Sequence, residues 1–149
     1  MFHSAENLPD PDLQPEYYDD VLGKRLLAWV VDSVLLLVLT ALVIVFTLFT
    51  ALIALPLVFI ALNLAYRTVT LARYGATPGM LLTGIELRDV RGRRPDPVTA
   101  FLHTSGFVAA SGFVIPQIAS VALMLMTARR QGLVDLVLGT TVINRPGTP

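Results

Sequence analysis

Lys24-Arg25-Leu26-Leu27-Ala28-Trp29-Val30-Val31-Asp32 leads into an apolar run, Leu26 to Tyr66, in which Asp32 is the one charged residue. The run is roughly forty residues, twice the ~20 that a membrane-crossing helix needs. One helix of that length would extend about 60 Å, against a hydrocarbon core of about 30 Å. The stretch therefore predicts two spans, about 24–47 and 51–73, joined by a tight turn near Thr47–Ala51. Pro56 falls in the first turns of the second helix, where proline is tolerated.

Composition agrees. The 149 residues fit one domain; 54% are hydrophobic and 15% charged, whereas soluble domains carry about 25% charged residues. A water-soluble globule would lack polar surface; a lipid bilayer as partner removes the deficit. There is no cysteine, hence no disulfide framework and no Cys-based zinc site. His3 and His103 are too far apart for a metal-ligand spacing, so no metal or cofactor is expected. Lys24 is the only lysine, and bases do not interleave with aromatics, which argues against nucleic acid. No nucleophile–base pair, phosphate loop or pair of catalytic carboxylates is visible, and enzyme activity is not expected.

Charge placement sets the expected topology. Lys24 and Arg25 stand at the mouth of the first span, Arg67 and Arg73 end the second, and Arg88, Arg91, Arg93 and Arg94 follow it. Both clusters place the N-terminus and the central loop in the cytoplasm by the positive-inside rule, as in a multi-pass protein of the bacterial inner membrane. Residues 1–20 carry six acids, no base, and Pro9, Pro11 and Pro15. They read as a disordered acidic tail, the alternative being that Pro15–Tyr18 lies at the membrane interface. No positive segment starts them, which excludes a secretory signal peptide.

In the loop of about 74–97, Gly75-Ala76-Thr77-Pro78-Gly79 has turn chemistry, and Leu82–Val90 reads as a strand with Ile85 and Leu87 alternating against Glu86 and Arg88. Gly92 and Pro95-Asp96-Pro97 suggest a β-hairpin. Two strands alone are marginal in water, and Thr140–Asn144 has the β-propensity to supply a third. The second apolar region, about 98–128, is long for one span and short for two. Ser111-Gly112 and Pro116 break it, and arginines stand on both sides. A pair of short or re-entrant helices is favoured over one tilted span kinked at Pro116. Ser105, Gly106, Ala109, Ala110, Ser111 and Gly112 would allow close packing. The fold class is thus mainly α and membrane-embedded, a two-span hairpin plus a short apolar helical pair and a small cytoplasmic β-element. Residues 129–144 form a C-terminal segment with a strand, and 145–149 a tail.

Asp32 follows Arg25 by seven residues, about 700° of helical rotation and about 10.5 Å of rise, so the two share a face. Arg side chains lean toward the helix N-terminus, which makes a direct bond marginal and calls for a third group; Asp135, after Arg129-Arg130-Gln131-Gly132, is the best placed. Asn63 and Arg130 are possible supports, Trp29 is packing or lipid anchorage, and His103 reads as a packed, hydrogen-bonded core histidine.

These residues carry a family resemblance. Lys24-Arg25-Leu26-Leu27-Ala28-Trp29-Val30-Val31-Asp32 and Arg129-Arg130-Gln131-Gly132-Leu133-Val134-Asp135 resemble the RDD family of small bacterial membrane proteins, named for one arginine and two aspartates. Tyr74–Gly79 and Gly84–Leu87 are similar too, so the resemblance covers about residues 20–144, with a membrane domain of 21–144. It implies Arg25, Asp32 and Asp135 as the family cluster and Thr77, Gly79 and Gly139 as structural turn positions. Family members often have Gln and Lys where Ala76 and Met80 stand, and His or Gly where Val134 stands, so no role carries over to those three.

The resemblance implies an undefined molecular function, with transport of an unidentified ligand suggested and sodium–proton exchange linked to some members. Ionisable groups inside membranes often mark ion or proton pathways, so exchange of a proton for a monovalent cation at Asp32 or Asp135 is one reading. Two spans leave little room for a pathway in one protomer, so that reading requires a homo-oligomer. The other reading is a cluster that only fastens the fold, as in a structural or accessory subunit.

Overall fold

A computed structural model of the chain describes residues 8–147. The first long helix, α1, runs Val21–Phe46, and α2 runs Leu55–Tyr74. Between them lie a turn and a 3-10 stretch, Thr50–Ala54, with Thr47 closing α1 through its hydroxyl, which donates to the Val43 carbonyl at 2.7 Å. The two long helices are apolar and long enough to cross a membrane, and the chain is a membrane protein. In α1 the buried residues Ala28, Asp32, Leu36 and Thr40 recur every fourth position, one stripe of a helix. The rest of the apolar surface, such as Leu26, Val34 and Leu37, points outward, as a lipid-facing helix requires. Thr40 satisfies its buried hydroxyl on the Leu36 carbonyl at 2.7 Å.

After α2 the chain turns at Gly75 and enters α3, Pro78–Thr83. The stretch expected to be a turn therefore starts a helix, with Thr77 as its N-cap accepting from the Met80 amide. Strand β1 is Ile85–Arg88, shorter than the expected Leu82–Val90 because α3 takes Leu82 and Thr83. Its antiparallel partner is β2, Thr141–Asn144, with Ile85 opposite Asn144 and Arg88 opposite Thr141.

The expected local β-hairpin within 74–97 does not form. Asp89 closes a turn by accepting from the Arg91 and Arg93 amides, and Pro95 and Pro97 have no N–H with which to build a returning strand. The other edge of β1 is tied instead to α2, where the Leu87 amide donates to the Gly75 carbonyl at 2.7 Å. The expected alternation also fails, since Ile85, Glu86 and Leu87 are all buried. Glu86 is accommodated by pairing with Arg88 and, at 3.8 Å, with Arg145.

The apolar pair is α4, Pro97–Ser111, and α5, Val114–Met126, bent by 117° across the break at Gly112-Phe113. A final short helix, α6, spans Leu133–Leu138. Since β1 precedes the pair and β2 follows it, the pairing of the two strands returns both ends of α4–α5 to one end of the molecule.

That same end holds the N-terminal segment, and here the expected disorder is corrected. Residues 8–20 are ordered, with a 3-10 turn at Pro15–Tyr17 and a buried Tyr18 whose hydroxyl donates to the Pro9 carbonyl. Residues 1–7 of the expected tail, and 148–149 of the C-terminal one, lie outside the described residues. The order comes from Asn144 in β2. Its amide donates to the carbonyls of Glu16 (2.7 Å) and Asp19 (2.9 Å), and its Oδ1 accepts from Lys24 (2.7 Å). At about 1 kcal/mol per hydrogen bond, Asn144→Ala should release this segment. Hydrogen exchange at amides 15–20 is expected to accelerate at least tenfold, while exchange in the middle of α1 stays unchanged.

Candidate functional site

Each aspartate sits at the centre of its own knot. Asp32, 1% exposed in the middle of α1, is held by groups from α2 and from the start of α3. Its Oδ1 accepts from the Tyr66 hydroxyl and the Gly79 amide, both at 2.8 Å, and its Oδ2 accepts from the Thr77 hydroxyl at 2.5 Å. The Gly79 amide is one of the donors that a helix N-terminus leaves unpaired within the helix; the carboxylate supplies its acceptor. Gly79 has to be glycine, because a Cβ there would collide with the Ala28 carbonyl oxygen and lie 2.8 Å from Asp32 Oδ1. Arg67 of α2 approaches Asp32 Oδ2 at 3.8 Å and lies over the Phe107 ring at 4.0 Å from its centroid.

Asp135, also 1% exposed, joins α1, α4, α6 and the approach to β2. Its Oδ2 accepts from Arg25 Nη1 at 2.8 Å and from the Gly132 amide at 3.0 Å. Its Oδ1 meets His103 Nε2 at 2.9 Å and accepts from the Thr140 hydroxyl at 3.1 Å. Because an ionised carboxylate only accepts, His103 donates from Nε2, and its Nδ1 is buried without a partner among the described residues. Burial pushes the Asp135 carboxyl up, but the Arg25 guanidinium and the bonds from His103 and Gly132 outweigh it and hold the group well below the usual carboxylate range. A depressed native value means stability that is present above the unfolded pKa of about 3.9 and is lost as pH falls toward the native one.

Arg25 and Asp135 are therefore together, as expected, while Asp32 does not share that bond; its charged neighbour is Arg67. The three family positions still face one space, a cavity of about 480 Å³ that Arg25, Asp32, Arg67, His103 and Asp135 all line. Arg130 supports the site through its backbone rather than its charge: its carbonyl accepts from Arg25 Nη1 at 3.5 Å, while its guanidinium turns to the Leu125 carbonyl. Asn63 does not join the Asp32 knot, and its Oδ1 is buried without a partner among the described residues. Thr77 and Gly79, expected only as turn residues, grip Asp32 directly. Gly139 is a structural position, with φ +69° and Val90 where a side chain would go.

Tyr66, Arg67, His103 and Thr140 are the site residues that sequence reasoning missed. A usable signal existed for two of them: reflecting Asp32 through a turn at 47–54 lands near residue 69, within one helical turn of Tyr66 and Arg67. No such rule points to His103, which is 32 residues from its partner.

The RDD family model matches residues 21–139, a range that includes Arg25, Asp32 and Asp135. No curated protein and no solved structure matches the chain.

The approach of α3 to α1 makes a sharp prediction. Gly79→Ala should lower the melting temperature in detergent by the equivalent of about 1–3 kcal/mol, the usual cost of overpacking. Gly112→Ala, where the nearest atom to a new Cβ is 3.4 Å away, should leave it almost unchanged.

Proposed function

The chain belongs to the RDD family, and on that premise we propose that it is a structural or accessory subunit of the bacterial inner membrane in which the family's arginine and aspartates fasten the fold. One observation carries this reading. All four carboxylate oxygens of Asp32 and Asp135 accept from donors within the protein, seven hydrogen bonds drawn from α1, α2, α3, α4 and the turns that hold Thr77, Gly132 and Thr140. A cation could reach the Asp135 carboxylate only by displacing its four donors, while Asp32 offers a single open acceptor site, on Oδ2. Lys24, Arg25 and the arginines of 67–94 gather at one end of the helical hairpin and support a cytoplasmic N-terminus. The ordered N-terminal segment and the β1–β2 sheet lie at that end too, a surface on which a membrane partner could be met from the cytoplasm.

A second reading, exchange of a monovalent cation for a proton by a homo-oligomer, is favoured by a different observation: both aspartates and His103 line the same cavity. The two readings separate in one experiment. Asp32→Asn and Asp135→Asn are reconstituted in vesicles at equal protein density, and cation-dependent proton flux is recorded beside the melting temperature in detergent. Fastening predicts a lower melting temperature and abundance for both variants, with no cation-dependent flux that distinguishes either from the parent protein. A robust parental flux that disappears in variants of unchanged stability would establish the exchange reading instead.

A further inference from the structure

The cavity between α1, α4 and α5 has a composition that the two knots do not use. The two carboxylates on its wall already accept seven hydrogen bonds from within the protein, which leaves them one open acceptor site, on Asp32 Oδ2. The arginines are not saturated. Arg67 is 9% exposed, and its Nε is buried without a partner among the described residues. Among the described residues Arg25 commits Nη1 alone, to Asp135 and the Arg130 carbonyl. The polar end of the cavity therefore has donors in excess. An anionic oxygen is the partner that guanidinium N–H groups on a cavity wall fit best. The Phe107 ring under Arg67 fixes the plane of that guanidinium.

The rest of the wall is apolar, including Leu22, Leu26, Trp29, Val121 and Met124. Leu26, Trp29 and Val121 are also exposed on the lipid-facing outside, at 65%, 49% and 46%, so the cavity opens sideways between α1 and α5 toward the bilayer. Its 480 Å³ falls among small-molecule sites, about 300–1,000 Å³, and suits one chain rather than a two-chain phospholipid.

We propose that this cavity binds a single-chain anionic amphiphile drawn from the membrane, its carboxylate at Arg67 and Arg25 and its acyl chain along the α1–α5 wall. The site is independent of whether the aspartates fasten the fold or exchange ions.

Trp29 is the only tryptophan in the chain and reports on the cavity directly. The full chain in a neutral detergent is titrated with dibromostearate, whose bromines quench indole fluorescence. Quenching should saturate, reverse on adding oleate, and be at least tenfold weaker in concentration for the dibrominated neutral monoglyceride. Arg67→Lys should raise the half-saturating concentration about tenfold, the effect of losing one charge-assisted hydrogen bond. Ala110→Phe, which fills the cavity wall without touching a hydrogen bond, should abolish the saturable phase while the melting temperature holds; it decides the matter if Arg67→Lys does not fold. Equal quenching by acid and neutral analogue overturns the proposal. So does saturable quenching by brominated phosphatidylglycerol with none by dibromostearate, or full quenching in Ala110→Phe.

Discussion

A carboxylate placed in the middle of a membrane helix has to find its hydrogen-bond donors inside the protein, because the hydrocarbon around it supplies none. Asp32 is that carboxylate, and the arrangement of three elements follows from it. Tyr66 must come from α2, which fixes how the hairpin closes. Thr77 and the Gly79 amide must come from the start of α3, which brings a short helix down onto α1 at a distance only glycine permits. A chain that passes from α2 to α3 in so few residues has no freedom left, and β1 emerges next to the C-terminal end of α2. There the Gly75 carbonyl accepts from Leu87.

Asp135 solves the same problem at the other end of the sequence. It collects Arg25 from α1, His103 from α4 and Thr140 from the approach to β2, so one side chain ties the first span, the broken apolar pair and the closing strand. Removing one partner of a buried charged pair typically costs about 3–5 kcal/mol, large against a typical folding stability of about 5–15 kcal/mol. The family's three named residues thus belong to two knots that share α1, and what remains between the knots is the cavity.

Much of this was readable from local pattern. The uninterrupted run from Leu26 to Tyr66 with one acid, and the arginines beyond it, are enough for the hairpin. Ser111-Gly112 marks the break in the second apolar region, and Thr140–Asn144 has the composition of the strand it forms. What escaped depends on contacts between residues far apart in the chain. The β1 partner is β2 rather than a local return because the prolines at 95 and 97 remove donors, a negative signal that is easily outweighed by Gly92. Residues 8–20 look disordered by composition, yet one asparagine 128 residues beyond Glu16 supplies their partners. Glu86 breaks a pattern of alternation that assumed one wet face, whereas both faces of the small sheet are covered. His103 in an apolar helix resembles any packed histidine until Asp135 is placed beside it.

A double-mutant cycle on thermal stability in detergent separates two fastenings, Arg25 with Asp135 and Asp32 with its own donors, from a single cluster. Arg25→Gln with Asp135→Asn should be strongly non-additive, the double variant being little worse than either single one. Arg25→Gln with Asp32→Asn should be additive within about 0.5 kcal/mol. Coupling of Arg25 to Asp32 as large as its coupling to Asp135 would contradict the two-knot account and restore a single cluster.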